Sequence, residues 1–248
     1  MLLDNKVILI TGASSGLGKA TAITLSNEGA KLILIGRDRD RLNETLSLLL
    51  GSNHLVFSID ITNYKLIEEI IMESVSKLGP IAGFVHCAGI EKTIPFRNMR
   101  SKYYEELFAI NNIAGFELAR IISKKKYIAS KASFVFISSI FGKLGKEGLV
   151  GYCASKAALV ASVKAMSLEL SVKGVRCNTV LPGVIQTEML DKMFESLPDN
   201  FKTNIETQYP LGLGEAEDVA DLCLFLVSEK SKWITGSDIV IDGGYSCR

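Results

Sequence analysis

Apolar residues gather in short, β-branched runs at 7–10, 32–35, 55–59, 81–87, 133–138, 175–181 and 238–241, and these runs predict seven strands. Each run is nearly unbroken rather than alternating, as strands covered on both faces require. Between the runs, apolar positions recur at helical spacing over 17–28, 39–50, 63–78, 101–127, 151–173 and 215–228. Strand and helix therefore alternate along the whole chain. With right-handed crossovers this gives an α/β fold, a doubly wound parallel sheet of about seven strands with helices on both faces. The rhythm breaks at 185–210, where polar residues surround Met189, Met193 and Phe194. An irregular stretch of that length in a compact domain suits a substrate lid, so 1–248 is expected to form one domain with a lid inside it.

Composition narrows what such a fold could do. Twenty-eight Lys and Arg against 27 Asp and Glu leave a net charge of +1, without the phosphate attraction of nucleic-acid binders. The longest charge-free stretch, 45–59, contains Gly51, Ser52, Asn53 and His54 and is too short and polar to span a bilayer. Asp4 and Lys6 precede any apolar run, which is not the layout of a secretory signal. Five cysteines, an odd number with no C-x-x-C pair, argue against a disulfide framework and a zinc site. Two histidines, His54 and His86, cannot build a His-rich metal site. The expectation is a cytoplasmic protein with no metal, membrane or nucleic-acid partner.

One turn carries chemistry. After the first predicted strand comes Thr11-Gly12-Ala13-Ser14-Ser15-Gly16-Leu17-Gly18, leading into a helix. Glycines at 12, 16 and 18 would let the backbone turn tightly and approach a pyrophosphate, which the positive end of the helix then attracts. The spacing is G-x-x-x-G-x-G rather than G-x-G-x-x-G, and no Gly-Lys-Ser/Thr follows to make a P-loop.

With that turn, five further motifs in order resemble the short-chain dehydrogenase/reductase family in its form of roughly 250 residues. They are Asn112-Ile113-Ala114-Gly115 for N-x-x-G, Ser139 thirteen residues before Tyr152, Tyr152-Cys153-Ala154-Ser155-Lys156 for Y-x-x-x-K, Pro182-Gly183 with Thr187, and Ile234-Thr235-Gly236 with Asp242-Gly243-Gly244. Within the family the chain is most similar to 3-oxoacyl-acyl-carrier-protein reductases and related ketone reductases. The resemblance implies a Rossmann-like fold and a hydride exchanged between a nicotinamide cofactor and a ketone or secondary alcohol. It departs at His86-Cys87-Ala88-Gly89, where the family has N-N-A-G. Cys87 cannot brace the sheet as that asparagine does, and His86 reads as a packed strand-end residue.

The resemblance implies four catalytic residues, Asn112, Ser139, Tyr152 and Lys156. Tyr152 and Lys156 stand i, i+4 on one helix face. A phenol titrates near 10, and an ammonium beside it, with the positive charge of the oxidised nicotinamide, is expected to lower that value. Tyr152 then exchanges the proton, and Ser139 steadies the carbonyl oxygen. By resemblance Lys156 also holds the nicotinamide ribose, and Asn112 positions a water. The implied cofactor site takes in Gly12, Ser14, Ser15, Gly16, Leu17, Gly18, Arg37, Asp60, Ile61, Ala88, Gly89, Tyr152, Lys156, Pro182, Gly183, Ile185 and Thr187.

Leu34-Ile35-Gly36-Arg37-Asp38 bears on cofactor choice. Gly36 leaves room and Arg37 can pair with a 2′-phosphate, which favours NADP(H) over NAD(H); the other reading has Asp38 on the ribose and Arg37 solvated. Asp60 either contacts the adenine or caps the helix that begins near Asn63. Glu91, Lys92, Phe141 and Leu149 flank the implied substrate pocket, which suits a small ketone, a sterol or an acyl thioester alike. Lys124, Lys125 and Lys126 could attract an acidic carrier protein or simply end a helix favourably. Ala158, Val160, Ala161, Met166 and Leu170 form an apolar face suited to a partner helix, and the resemblance implies a homodimer or homotetramer. Two other readings are a catalytically silent dinucleotide sensor or scaffold of the same fold, and a nucleotide-sugar epimerase, for which 248 residues leave little room.

Overall fold

A computed structural model describes residues 1–187, 190 and 205–247. Met189, Met193 and Phe194 of the expected lid lie outside the described residues. The elements follow in the order β1 (Val7–Thr11), α1 (Gly16–Asn27), β2 (Lys31–Gly36), α2 (Arg39–Ser47), β3 (Leu55–Ser58), α3 (Tyr64–Leu78), β4 (Ile81–His86), α4 (Ser101–Phe108), a π turn (Ala109–Ile113), α5 (Ala114–Ile122), β5 (Ile128–Ile137), α6 (Val150–Ser171), β6 (Arg176–Pro182), β7 (Ile185–Gln186), β8 (Gly214–Glu215), α7 (Ala216–Val227) and β9 (Asp238–Ile241).

Seven strands form one parallel sheet in the order β3-β2-β1-β4-β5-β6-β9. Strand residues alternate between two cores. Val7, Leu9, Ile33 and Phe84 pack with Ile67 and Ile71 of α3, Leu118 of α5 and Leu159 of α6. Ile8, Ile10, Leu32 and Leu34 pack on the opposite face with Leu25 of α1 and Val219 and Leu226 of α7. Both faces are buried under helices, which is why the strands read as continuous apolar runs. The strand order reverses at β1, whose two neighbours are β2 and β4, so a crevice opens at the carboxyl ends of β1 and β4.

Three expectations need correction. The helix expected over 101–127 is broken into α4, the π turn and α5, because a π turn adds a residue to the helical repeat. Strand β5 starts five residues before the expected 133. Its register against β4 jumps from Ile81–Ile128 to Gly83–Ser133, and Lys131 takes φ 58, so the strand entrance bulges and hides the apolar period. The short parallel pair β7–β8 was not expected at all. Among the described residues no helix is long and apolar enough to cross a membrane.

Candidate active site

The crevice is built from the glycine turn outward. Gly12 takes φ 68, and a Cβ there would lie 2.9 Å from the Ala88 nitrogen. A Cβ on Gly18 would collide with the Gly12 carbonyl oxygen. The turn can therefore lie against the end of β4 only as glycine. Ser15, extended at the N-cap of α1, makes no side-chain cap bond, and no acid occupies the first turn. The N–H groups that begin α1 thus face the crevice with the positive end of the helix dipole, a cradle that fits a dinucleotide pyrophosphate. Thr187 reaches over this turn, its methyl 3.7 Å from the Cβ position of Gly16. It is carried there past Pro182 and Gly183. A Cβ on Gly183 would sit 2.8 Å from the Tyr209 ring, and the Tyr209 hydroxyl accepts the Val184 N–H at 3.1 Å.

At the end of β2, the Ser14 hydroxyl lies 3.2 Å from the Cβ position of Gly36, so Ser14, Gly36 and the exposed Arg37 share one corner. The neighbouring Asp38 is occupied otherwise. Its carboxylate caps α2 by accepting the N–H groups of Asp40 and Arg41, both at 3.1 Å. Asp60 accepts the Thr62 N–H at 2.9 Å and the Thr62 hydroxyl at 2.7 Å. Those bonds, with the Arg37 charge, hold its carboxyl below the usual range. Asp60 therefore stabilises the turn before α3, beside the buried Ile61, while Asn63 occupies the N-cap without a side-chain bond.

The reacting groups converge from β5 and α6. Ser139 follows β5 and accepts the Phe141 N–H at 3.2 Å. Tyr152 and Lys156, one turn apart on α6, face it. Lys156 is 5% exposed, its Nζ donates to the Ile137 carbonyl at 2.9 Å, and it lies 5.6 Å from the Tyr152 ring centroid. Burial draws the Lys156 ammonium down to about 8.

In the protein alone, without the nicotinamide charge that the expectation includes, the Tyr152 hydroxyl is shifted up rather than down. Burial pushes its hydroxyl above the ordinary phenol value, the Glu91 carboxylate adds to the rise, and only the Ser139 hydroxyl opposes it.

The asparagine is also reassigned. Asn112 donates from Nδ2 to the Ser155 carbonyl at 2.8 Å, away from the reacting groups, and its Oδ1 has no partner among the described residues. Asn111 points into the site. Its Oδ1 accepts the Ile90 N–H at 2.8 Å, and its Nδ2 donates to the Ile90 carbonyl at 3.0 Å and to the Ser155 hydroxyl at 2.9 Å. It thereby fixes the Ala88-Gly89-Ile90 segment, with Gly89 so close that a Cβ would be 3.4 Å from Lys156 Nζ. The π turn decides which of the two adjacent asparagines faces inward, and a regular helical repeat could not have located it.

At the family departure, bracing comes from Thr11 rather than position 87. The Thr11 hydroxyl accepts the Ala88 N–H at 3.2 Å and bonds His86 Nδ1 at 2.9 Å. Cys87 packs beside the second core, and burial pushes its thiol up to about 12. Lys124 and Lys126 both pair with Glu68, at 2.7 and 3.5 Å, so two of the three adjacent lysines are engaged within the fold. Of the apolar face expected on α6, Ala161 is exposed and Ala158 and Val160 are half-buried, while Met166 and Leu170 pack inward against the first core; Leu168, and Val172 at the C-cap of the helix, are exposed as well.

The sequence profile of a family described as enoyl-(acyl carrier protein) reductase matches residues 12–246. A 3-oxoacyl-[acyl-carrier-protein] reductase of Thermotoga maritima is 33% identical over 247 residues, covering 98% of this chain and 99% of its own. A human (3R)-3-hydroxyacyl-CoA dehydrogenase is 34% identical over 256 residues, covering 98% and 96%. Among solved structures, a short-chain dehydrogenase/reductase titled glucose/ribitol dehydrogenase, from Brucella melitensis, superposes with a TM-score of 0.91 at 28% identity, covering 98% of each chain.

Proposed function

Since this chain belongs to the short-chain dehydrogenase/reductase family, a family of nicotinamide-dependent oxidoreductases acting on CH–OH groups, we propose that it reduces the ketone of a 3-oxoacyl thioester, with NADPH as the preferred cofactor. The observation that carries this reading is the convergence of Ser139, Tyr152 and Lys156 on the crevice that the glycine turn opens. A silent sensor of the same fold would have no need of them. A bound nicotinamide supplies the hydride. Tyr152 holds the proton that the carbonyl oxygen takes up as it becomes a hydroxyl, and a phenol kept protonated by its surroundings suits the reductive direction. Ser139 donates a hydrogen bond to the same oxygen, where negative charge develops. Lys156 anchors the cofactor ribose and supplies positive charge beside Tyr152. Asn111 keeps the loop beside Lys156 in place. The thioester class follows the printed activities of the relatives, and Phe141 and Leu149, both buried beside Tyr152, offer it an apolar wall.

The NADPH preference rests on the Arg37 corner. Asp38 is committed to capping α2, which leaves Arg37 beside Ser14 to meet a 2′-phosphate. Arg37→Ala is expected to raise KM for NADPH by roughly ten- to hundredfold and to leave KM for NADH nearly unchanged. Steady-state rates with both cofactors and a panel of 3-oxoacyl thioesters and simple ketones decide it. Equal changes for the two cofactors would remove Arg37 from the argument, and a wild-type protein inactive toward every ketone would remove the activity. Exposed Leu168 on α6 and Val172 at its C-cap support assembly as a homodimer or homotetramer through that helix, and a monomeric sedimentation coefficient at micromolar concentration would overturn it.

A further inference from the structure

His86 is a buried titratable side chain near the site that the proposed reaction leaves unused. It is 1% exposed at the end of β4, between Phe84 and Phe136. A Thr11 hydroxyl that accepts the Ala88 N–H can donate its own proton to His86 Nδ1, an arrangement that puts the ring proton on Nε2, the nitrogen on the side of Gly115. On its other side the ring packs on Gly115 so closely that a Cβ there would stand 2.7 Å from it. The carbonyls of Ile110 and Asn111, in the π turn, lie near enough to stabilise an N–H on the ring, although neither completes a hydrogen bond. Burial and the nearby Lys156 ammonium hold the imidazole down to about 3, so it is neutral throughout the working range.

We propose that His86 is a positioning residue: as the Nε2–H tautomer it couples Thr11, at the end of β1, to the π turn carrying Asn111, and so sets where Asn111 holds Ile90 and Ser155 around Lys156. This explains why a histidine is accommodated where the family pattern has asparagine. Both can accept from a hydroxyl on one side and offer an N–H on the other.

The inference rests on the reductase reading for its kinetic test, and a second measurement is independent of turnover. His86→Leu keeps the apolar packing but cannot take the Thr11 proton. It is expected to lower kcat roughly tenfold with KM for the ketone within about twofold of wild type. His86→Asn is expected to recover kcat to within about threefold. A purely structural role would lower Tm in both variants and leave kcat per active site unchanged, and that result, or equal losses in the two variants, would overturn the proposal. Nitrogen-15 NMR of the wild-type protein should show His86 protonated only at Nε2 from pH 5 to 8. A proton on Nδ1, or titration in that range, overturns it even if His86→Leu does not fold. An inactive wild-type enzyme would instead count against the reductase reading and leave the NMR result to decide the tautomer.

Discussion

Tyr152→Phe should reduce kcat for ketone reduction by about a hundred- to ten-thousandfold while the folded protein and its cofactor affinity stay intact. The substitution removes one oxygen and keeps the ring, which packs with Ile140, Phe141 and Leu149 and lies 5.6 Å from the Lys156 ammonium. Little packing is lost, so Tm should remain close to wild type. What disappears is the proton that the carbonyl oxygen must receive. Ser139 cannot replace it, because a serine hydroxyl that gave up its proton would become an alkoxide with no cation placed to stabilise it. Turnover, melting temperature and cofactor fluorescence quenching on the same preparation separate these effects. Turnover within about threefold of wild type would remove Tyr152 from the proton-transfer role.

Gly12→Ala should be the most damaging of the single-methyl changes in the glycine turn that add left-handed strain. At φ 68 an L residue costs about 1–2 kcal/mol, and its Cβ would also press on the backbone of Ala88 at 2.9–3.1 Å, where nothing flexible can yield. The combined loss should be about 2–5 kcal/mol, accompanied by a large fall in cofactor affinity as the turn is pushed off β4. Gly16→Ala is the control. It has φ 47 but only the Thr187 methyl at 3.7 Å, so it carries the strain without the collision and should cost about 1–2 kcal/mol. Denaturant melts of the two variants in the absence of cofactor give the comparison. If both lose the same stability, the contact between turn and β4 is not what requires glycine at position 12.

Much of this was legible in the sequence because the fold and the cofactor cradle are local. Unbroken apolar runs located all seven strands of the main sheet, since burial on both faces leaves no alternation to confuse. The glycines at 12 and 18 mark backbone approaches that only glycine permits, and Gly16 marks a left-handed turn. What could not be read depends on phase or on neighbours distant in the chain. The π turn shifts the helical repeat, so position along the helix could not choose between Asn111 and Asn112. The bulge at 129–132 concealed the first half of β5. The Tyr152 proton affinity is raised first by burial and then by Glu91 from another loop, neither of which the spacing of the motif reveals. The sequence favoured Arg37 over Asp38 beside the cofactor ribose but could not show that the Asp38 carboxylate caps α2.

The central claim is hydride transfer to a ketone carbon, paired with proton donation from Tyr152. It is tested most directly by incubating the protein with a short 3-oxoacyl thioester and NADPH deuterated at the transferable C4 position. The expected product is a 3-hydroxyacyl thioester one mass unit heavier, with the deuterium on carbon 3, formed by the wild-type protein and nearly absent with Tyr152→Phe. Product without deuterium, or equal labelling by the two proteins, would contradict the account.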